Sequence, residues 1–404
     1  MRTAGLRRLL TPEGWELLAS LPPYDAAEAD RLNLRLRAAG HDPELVAAAL
    51  TQQRLRERAR AKFGDFASRM LFTEEGLQQA TRLVVAARHA DRYRRAGCSR
   101  VADLGCGLGG DALALAALGI AVDGVELDET TAALATVNLM AFPDARVVHG
   151  DALSHDLEPY DGVFADPARR GPRGRVFDPE AWSPPLPRVF GLRERVPALG
   201  VKVAPGVGHH HLPGDAHAEW VSVGGDVVEA GVWFGPLTER PGRSALVIDA
   251  AGRGATLRCT DDVHSPARQL PPGPLRRYLH EPDGAVIRAG GVALLAEQLD
   301  AAPVSDAIAY LTGDQLAPTP FAEAFEVLDH LPFSTKRLAA HLAARGVGRL
   351  EIKKRGVDVD PDRLRGQLRL RGDEEAVVIL TRLQGRHSAV IVRRVTGRPG
   401  TMVP

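Results

Sequence analysis

The sequence predicts an α/β protein whose central element is a doubly wound, mostly parallel sheet. From residue 100 onward, short apolar runs alternate with segments of helical periodicity: RVADLG, AVDGVEL, ARVVHG, YDGVFAD and LGVKVAPG. Strands that alternate with helices along the chain are typical of βαβ units and of a parallel sheet. Three further strand candidates, AEWVSV, VVEAGVWF and SALVID, follow without long helices between them, which predicts an antiparallel edge.

The remaining elements divide the chain into regions. Residues 1–95 show helix-spaced apolar positions and few strand signals, so they predict a helical N-terminal region in which Thr73 caps a helix. The parallel sheet occupies residues 96–250. Residues 251–280 are rich in proline and predict a linker, and residues 281–404 predict a small α/β module.

Length and composition narrow the class of protein. A chain of 404 residues, 45% of them hydrophobic, favours two or three domains. No apolar run approaches the roughly 18 residues that span a bilayer, and the N-terminus lacks the apolar core of a signal peptide. The three cysteines, Cys98, Cys106 and Cys259, form no CxxC pair. We expect a soluble, cytoplasmic protein with no metal and no membrane partner, and the sequence indicates no oligomeric state.

Charge is distributed unevenly along the chain. Residues 336–404 hold 16 Lys and Arg against 7 Asp and Glu, a net charge of +9, and because the whole chain is neutral the remainder carries −9. Such asymmetry indicates contact with nucleic acid. Only five of the 51 basic residues are lysine, so part of the arginine content reflects coding bias.

The segment VADLGCGLGGD (101–111) contains the pattern Gly105-x-Gly107-x-x-Gly110 between a predicted strand and a predicted helix. Glycines at these positions let the backbone approach a ligand closely. Glu126 ends the second strand about 20 residues later, where a carboxylate can accept hydrogen bonds from both ribose hydroxyls. The pattern therefore predicts a nucleoside-containing cofactor.

Acidic residues also close the neighbouring strands: Asp103 in the first, Asp151 after the third and Asp166 after the fourth. Side chains at successive strand ends line the crevice where open α/β sheets bind ligands. A dinucleotide and S-adenosylmethionine (AdoMet) both suit a glycine loop followed by a ribose-binding acid. Asp103, two residues before the first glycine, favours AdoMet, which carries an ammonium and a sulfonium.

This block resembles the class I AdoMet-dependent methyltransferases, whose pattern is D-x-G-x-G-x-G, an acid after strand two and G-D-A after strand three. The resemblance implies a Rossmann-like, seven-strand sheet with AdoMet as cofactor, Glu126 on the ribose, Asp151 on the adenine amino group and the glycine loop on the methionine part. The implied cofactor-binding residues are Asp103, Gly105, Cys106, Gly107, Gly109, Glu126, Asp151 and Ala152.

The order of motifs extends the resemblance. A GCGxGGD loop, a GDA turn, a D-P-A-R turn, VKVAPG and a C-terminal IKKRG resemble bacterial class I methyltransferases with a THUMP-like C-terminal domain. The CGxGG loop is also similar to that of the trimethylguanosine-synthase group of RNA methyltransferases. True THUMP domains bind RNA, so the resemblance implies RNA as a partner.

The turn after the fourth strand is the predicted catalytic site. In N-methyltransferases that resemble this chain, an Asp or Asn followed by Pro-Pro and an aromatic residue holds the target amino group and stacks its base. Here Asp166 and Pro167 are present, whereas Ala168-Arg169 replaces the proline and the aromatic residue. An arginine can stack on a base or hold a phosphate, and Phe177 or Trp182 are alternative aromatic partners. Candidate substrate-binding residues are Arg169, Arg170, Arg173, Lys353, Lys354 and Arg355.

Methylation of a pyrimidine C5 requires a cysteine nucleophile near these strand ends, and no cysteine lies there. The expected acceptor is therefore an exocyclic or ring nitrogen, or an oxygen. With the charge distribution and the resemblance, we expect methylation of a base nitrogen of structured RNA, tRNA or rRNA. Alternatives are a methyltransferase for a protein or small molecule, an NAD(P)-dependent oxidoreductase, and a degenerate RNA-binding scaffold. The run His209–His211 has no partner at metal-ligand spacing, so it predicts no metal site.

Overall fold

The computed structural model describes residues 3–168, 170–171, 174–175 and 178–395. The chain forms two compact units. The first unit consists of Met1–Val203 and Val232–Glu239, and the second consists of Ala204–Gly231 and Arg240–Pro404. These units divide the chain differently from the regions that the sequence predicts, since the change of unit at residue 203 falls inside the predicted sheet.

The first unit begins with the predicted helical region. Asp42 starts its longest helix, because the Asp42 carboxylate accepts hydrogen bonds from the amides of Glu44 and Leu45. Thr73 caps a later helix through Gly76 N, as predicted. No helix in the described part of the chain is long and apolar enough to cross a membrane. The helices are α1 (Thr3–Leu9), α2 (Pro12–Ser20), α3 (Ala29–Ala38), α4 (Pro43–Phe63), α5 (Glu74–Gln79) and α6 (Leu83–Arg95).

The parallel strands of the first unit follow, with helices between them. Their order in the sheet is third, second, first, fourth and fifth, which is the doubly wound arrangement that the sequence predicts. The elements are β1 (Arg100–Leu104), α7 (Gly110–Ala117), β2 (Ala121–Glu126), α8 (Glu129–Leu139), β3 (Ala145–His149), β4 (Gly162–Ala165), the two-residue strands β5 (Arg170–Gly171) and β6 (Gly174–Arg175), α9 (Leu186–Gly191) and β7 (Leu199–Val203).

Strand β9 (Asp226–Trp233) is shared between the units. Its last residues belong to the first unit, where β9 neighbours β7 and Phe234 N donates to Leu199 O at 3.0 Å. Trp233 is 1% exposed, and its ring stacks on Phe164 at 6.3 Å between centroids. The segment that returns to the first unit therefore completes its apolar core.

In the second unit, β9 neighbours β8 (His217–Val223), followed by β10 (Gly242–Ile248) and β11 (Gly254–Thr260). Strand β10 is parallel to β8 and antiparallel to β11. Strand β11 lies in the stretch 251–280 that composition predicts to be a linker. Within that stretch, residues 251–253 and 261–277 form no helix or strand before β12.

The C-terminal module of the second unit contains a mixed sheet, on which the helices Thr335–Ala343 and Pro361–Leu368 pack. Its strand order is β13-β14-β12-β15-β18-β17-β16, and only β16 and β17 pair in parallel. Leu338 and Leu364, one from each helix that covers the sheet, pack in one core with Val378 and Ile391. The elements are β12 (Tyr278–Pro282), α10 (Gly284–Arg288), α11 (Val292–Gln298), β13 (Ala302–Pro303), β14 (Leu311–Gly313), β15 (Ala322–Pro332), α12 (Thr335–Ala343), β16 (Val347–Lys354), α13 (Pro361–Leu368), β17 (Glu374–Leu383) and β18 (Arg386–Arg394).

Candidate active site

The predicted cofactor-binding and catalytic residues lie at the carboxyl ends of the parallel strands of the first unit. Leu104, the last residue of β1, is in register with Val125 of β2 and with Ala165 of β4. Glu126 and Asp166 therefore come one residue after those partners, on either side of the loop that follows β1. Parallel strands end at the same edge of a sheet, so the structure brings these groups together as predicted.

The glycine loop and the predicted catalytic turn touch through their backbones. Gly105 has φ +81°, a conformation that only glycine adopts readily, and a Cβ atom at this position would lie 2.9 Å from the carbonyl oxygen of Asp166. The amide of Asp166 in turn donates to Leu104 O at 3.0 Å. Any side chain at residue 105 would push the loop and the turn apart.

Gly107 and Glu126 form the next part of the site. Gly107 has φ +56°, and a Cβ atom built on it would meet nothing within 4 Å, so the loop borders open space here. The Glu126 carboxylate accepts hydrogen bonds from Gly107 N at 3.0 Å and from Asp128 N at 2.9 Å. These two amides fix the orientation of the carboxylate that the resemblance assigns to the ribose.

Asp151 and Cys106 are held in different ways. Asp151 is exposed after β3, and the Ser154 hydroxyl donates to it at 2.7 Å, which lowers the pKa of Asp151. Ala152 is half-buried beside it. The Cys106 side chain is 8% exposed and packs on β2, where a Cβ atom on Gly124 would lie 2.9 Å from its Sγ. Burial raises the pKa of Cys106 well above its usual value, so the thiol stays neutral.

Asp103 is a buried acidic residue of the first unit. It is 1% exposed, and its Oδ2 is buried with no hydrogen-bond partner. Burial, together with the negative charges of Asp111 and Asp166, raises the pKa of Asp103 well above its usual value. A buried carboxylate oxygen without a hydrogen-bond partner is costly when the group is ionised, and a cation that binds beside it offsets that cost. The ammonium of AdoMet supplies such a cation, so the residues present fit this cofactor.

Lys202 of β7 forms an ion pair with Asp166 of the predicted catalytic turn. Its Nζ lies 2.5 Å from Asp166 Oδ2, and it also donates to Thr81 Oγ1 at 2.9 Å. The Lys202 side chain is 8% exposed, whereas the Asp166 side chain is 29% exposed. The ion pair therefore anchors the carboxylate at its buried side and leaves it accessible from solvent.

A second buried pair continues the network. His89 Nδ1 lies 2.8 Å from Asp111 Oδ1, and the His89 ring packs against Phe164 and Trp233. Burial alone would raise the pKa of Asp111, but the hydrogen bond and charge of His89, together with Lys202, lower it. Carboxyl groups from β1, the start of α7 and the end of β4 thus interact with Lys202, and His89 is a second partner of Asp111.

The helical N-terminal region contributes to the cofactor side of the site. Asn138 of α8 accepts from Leu71 N at 2.7 Å and donates to Leu108 O at 2.9 Å, which ties the glycine loop to the segment before α5. A Cβ atom on Gly76 would lie 2.8 Å from the Leu108 side chain. Residues 71–76 therefore support the loop, a role that their sequence did not indicate.

The chain after Asp166 forms a closed loop. Ala168 and Ser183 exchange backbone hydrogen bonds of 2.8 and 3.0 Å, and inside the loop β5 pairs with β6 in antiparallel fashion. Arg169 and Arg173 lie outside the described residues, as does Phe177, and for Arg170 only the backbone is described. Trp182 is described: it is 4% exposed, and its Nε1 is buried without a hydrogen-bond partner.

The basic residues predicted in the C-terminal module differ in their surroundings. Lys353 donates to Glu281 at 2.6 Å and to Glu323 at 3.0 Å, and Arg355 Nη2 lies 3.6 Å from Glu281. Lys354, between them on the edge strand β16, is exposed. Lys353 and Arg355 are thus neutralised within the module, and Lys354 alone of the three extends into solvent.

Sequence reasoning missed the side chains that hold the carboxyl groups of the site: Lys202, His89 and Thr81. Lys202 stands in LGVKVAPG, an otherwise apolar strand, and a lysine in a buried parallel strand needs a carboxylate partner. That rule would have indicated an ion pair, although not Asp166 as the partner. His89 and Thr81 carry no comparable signal, because a His or Thr in an amphipathic helical segment is common.

Two family models match parts of the chain. A family model described as THUMP domain-like matches residues 322–394, and one described as a domain of unknown function (DUF8688) matches residues 2–59. An uncharacterized S-adenosylmethionine-dependent methyltransferase of Mycobacterium tuberculosis, from strains CDC 1551 and H37Rv, is 35% identical over 360 residues. The match covers 87% of this chain and 95% of the relative.

Among solved structures, one from Porphyromonas gingivalis W83 that is described as a methyltransferase superposes with a TM-score of 0.69. The match covers 93% of this chain and 100% of the other, at 19% sequence identity. The two chains therefore share a fold over almost their whole length.

Proposed function

We propose that this chain, which belongs to the S-adenosylmethionine-dependent methyltransferases, methylates a base nitrogen of structured RNA. Membership of this family makes the protein an enzyme that uses AdoMet, and it decides against the oxidoreductase alternative. The RNA substrate, the target atom and the roles of individual residues are the proposal.

The observation that carries the proposal is the position of Asp166. Its backbone carbonyl lies against Gly105 of the glycine loop, and its carboxylate is anchored by Lys202. An ionised carboxylate offers several acceptor sites, so Asp166 can hold Lys202 and still accept a hydrogen bond from a target amino group. Pro167 follows and stiffens the turn, because its φ is fixed.

Bound AdoMet supplies an electrophilic methyl group, and the transfer is an in-line displacement. The residues of the chain then have to align the acceptor and exclude water, which accounts for most of the acceleration in such reactions. Hydrogen bonds from the amino group to Asp166 would direct the nitrogen lone pair towards the glycine loop. Asp103 would hold the cofactor ammonium, and Glu126 its ribose.

Two features support RNA as the substrate. The module that matches the THUMP-like family is the basic part of the chain. Its internal ion pairs neutralise Lys353 and Arg355, but other cations remain exposed and form no ion pair with another described residue. They are Lys336, Arg337, Lys354, Arg363, Arg369, Arg371, Arg382 and Arg386.

Methyl transfer from labelled AdoMet tests the proposal. RNA from a strain that lacks the gene should accept label, RNA from the parent strain should accept little, and mass spectrometry of nucleosides should identify one modified base. Asp166→Ala should abolish transfer while binding of S-adenosylhomocysteine persists. Label in protein or small molecules instead of RNA would replace the proposed substrate, and S-adenosylhomocysteine binding without any transfer would identify a scaffold.

A further inference from the structure

The histidine run that follows β7 lines a cleft in the second unit that the proposed reaction does not use. The cleft has a volume of about 700 Å³, within the range of small-molecule sites. Its walls come from the loop after β7, from Trp220 of β8, from His264 after β11 and from Arg288, the last residue of α10. Apolar surface is contributed by Pro205 and Val207.

Hydrogen bonds fix these walls. Pro205 O accepts from Trp220 Nε1 and from Arg288 Nη1, each at 3.0 Å. His209 Nε2 donates to Arg288 O at 2.9 Å, and His264 Nε2 donates to Leu212 O at 2.8 Å. The loop, the strand and the helix end are therefore held together without a ligand, so the cleft is preformed.

A buried arginine, Arg243, lies next to His209 of the cleft. Arg243 is 1% exposed, donates to Ser265 O at 2.6 Å and pairs with Nδ1 of His209. Its Nε is buried without a hydrogen-bond partner. Burial lowers the pKa of His209, and the positive charge of Arg243 lowers it further. The hydrogen bond to the carbonyl of Arg288 has the opposite effect, which is smaller than that of burial. His209 thus remains neutral and serves to position Arg243 and Arg288.

The ionisable side chains that line the cleft are basic. Arg288, His210 and His264 are exposed, and the lining contains no Asp or Glu. Asp262, two residues before His264, accepts hydrogen bonds from His264 N and from the Ser265 hydroxyl, which lower the pKa of Asp262. In the described part of the chain no group of three or more His, Cys, Asp or Glu is arranged to hold a metal ion. The cleft is therefore suited to an anion.

We propose that this cleft binds a phosphate ester, with Arg288 and His210 on the phosphate and Pro205, Val207 and the Trp220 edge beside the organic group. A guanidinium matches the geometry of phosphate oxygens, and its contact with them is charge-assisted. Inorganic phosphate alone would leave most of the volume unfilled. The ligand is either a free nucleotide or a nucleotide of an RNA strand, and the site does not depend on RNA being the methylated substrate.

Calorimetric titration of the full chain tests this site. Saturating S-adenosylhomocysteine occupies the cofactor site first, and the probes are inorganic phosphate, uridine 5′-monophosphate and a short oligouridylate. Arg288→Gln keeps a donor for Pro205 O but loses the charge, so it should weaken nucleotide binding about tenfold. Arg288→Lys should retain most of the affinity, and His210→Ala should weaken binding by a smaller factor.

Arg276→Gln is the matched control, because Arg276 is an exposed arginine of the same unit that lies outside the cleft and pairs with Asp314 at 3.2 Å. His210 forms no hydrogen bond with another described side chain, so His210→Ala reports on the site even if Arg288→Gln unfolds. Binding of the monophosphate identifies a free-nucleotide site, and binding of the oligonucleotide alone identifies a strand site. Absence of binding by all three probes, or binding that ignores both cleft variants, overturns the proposal.

Discussion

Replacement of Lys202 by methionine tests the ion pair that holds the proposed catalytic turn. Lys202→Met keeps the volume of the side chain and removes the cation that lies 2.5 Å from Asp166 Oδ2. It leaves the carboxylate without its buried partner and weakens the stabilisation of Asp103 and Asp111, both of which Lys202 favours in their charged forms. We expect the first unit to be destabilised.

The magnitude follows from burial. Breaking a fully buried ion pair by removing one partner costs about 3–5 kcal/mol. The Asp166 side chain is 29% exposed, so water recovers part of this cost and the expected loss is roughly 2–3 kcal/mol. For a unit of this size, that loss corresponds to a melting temperature lower by roughly 5–10 °C.

Differential scanning calorimetry of Lys202→Met, Asp166→Asn and the double variant measures the effect. Because the double variant leaves no unpaired charge at this pair, it should lose less stability than the sum of the single variants, by about 1–2 kcal/mol. A melting temperature of Lys202→Met within a degree of the parent protein, or additive losses, would show that the pair does not anchor the turn.

The remaining predictions concern charge. Asp103→Asn should raise the melting temperature at pH 7, because burial and nearby carboxylates raise the pKa of Asp103 and make its ionised form unfavourable. The same substitution should weaken S-adenosylhomocysteine binding about tenfold or more in a titration. Burial alone would raise the pKa of Asp161, but hydrogen bonds from Ser99 and from the amide of Arg100 together lower it. The stabilisation by Asp161 is therefore complete above the unfolded value of about 4 and disappears as the pH falls through the folded value. Melting curves of Asp161→Asn should differ from the parent at pH 7 and converge at low pH. Arg371→Gln should reduce the slope of log affinity for RNA against log salt by about 0.7–0.9. Lys353→Met should leave the slope unchanged, because Lys353 is already paired with Glu281 and Glu323. Equal slopes for both variants would count against an RNA contact at Arg371.

The sequence was sufficient for the parallel sheet and its strand-end acids, because both depend on local patterns. Apolar runs indicate buried strands, and the register of β1 with its neighbours then brings Glu126 and Asp166 to one edge. Thr73 was predicted as a cap for the same reason, since a cap depends on residues only three apart.

Contacts between distant segments could not be predicted in this way. Thr81 and Lys202 are 121 residues apart, and Lys353 meets Glu281 across 72 residues. Composition suggested that the basic residues of the module face a polyanion, but acids on other strands of the same sheet neutralise several of them. The predicted linker was placed too early, because β11 carries Arg258, Cys259 and Thr260 and lacks the continuous apolar run by which the other strands were recognised.

The division of β9 has a practical consequence for work with shortened versions of the chain. The polypeptide passes between the units after residues 203, 231 and 239, so neither unit is a continuous stretch of sequence. A fragment that ends at residue 203 lacks Trp233 and Leu237, both of which are buried in the core of the first unit. Expression of the first unit therefore requires residues up to 239, with 204–231 either carried along or replaced by a short linker.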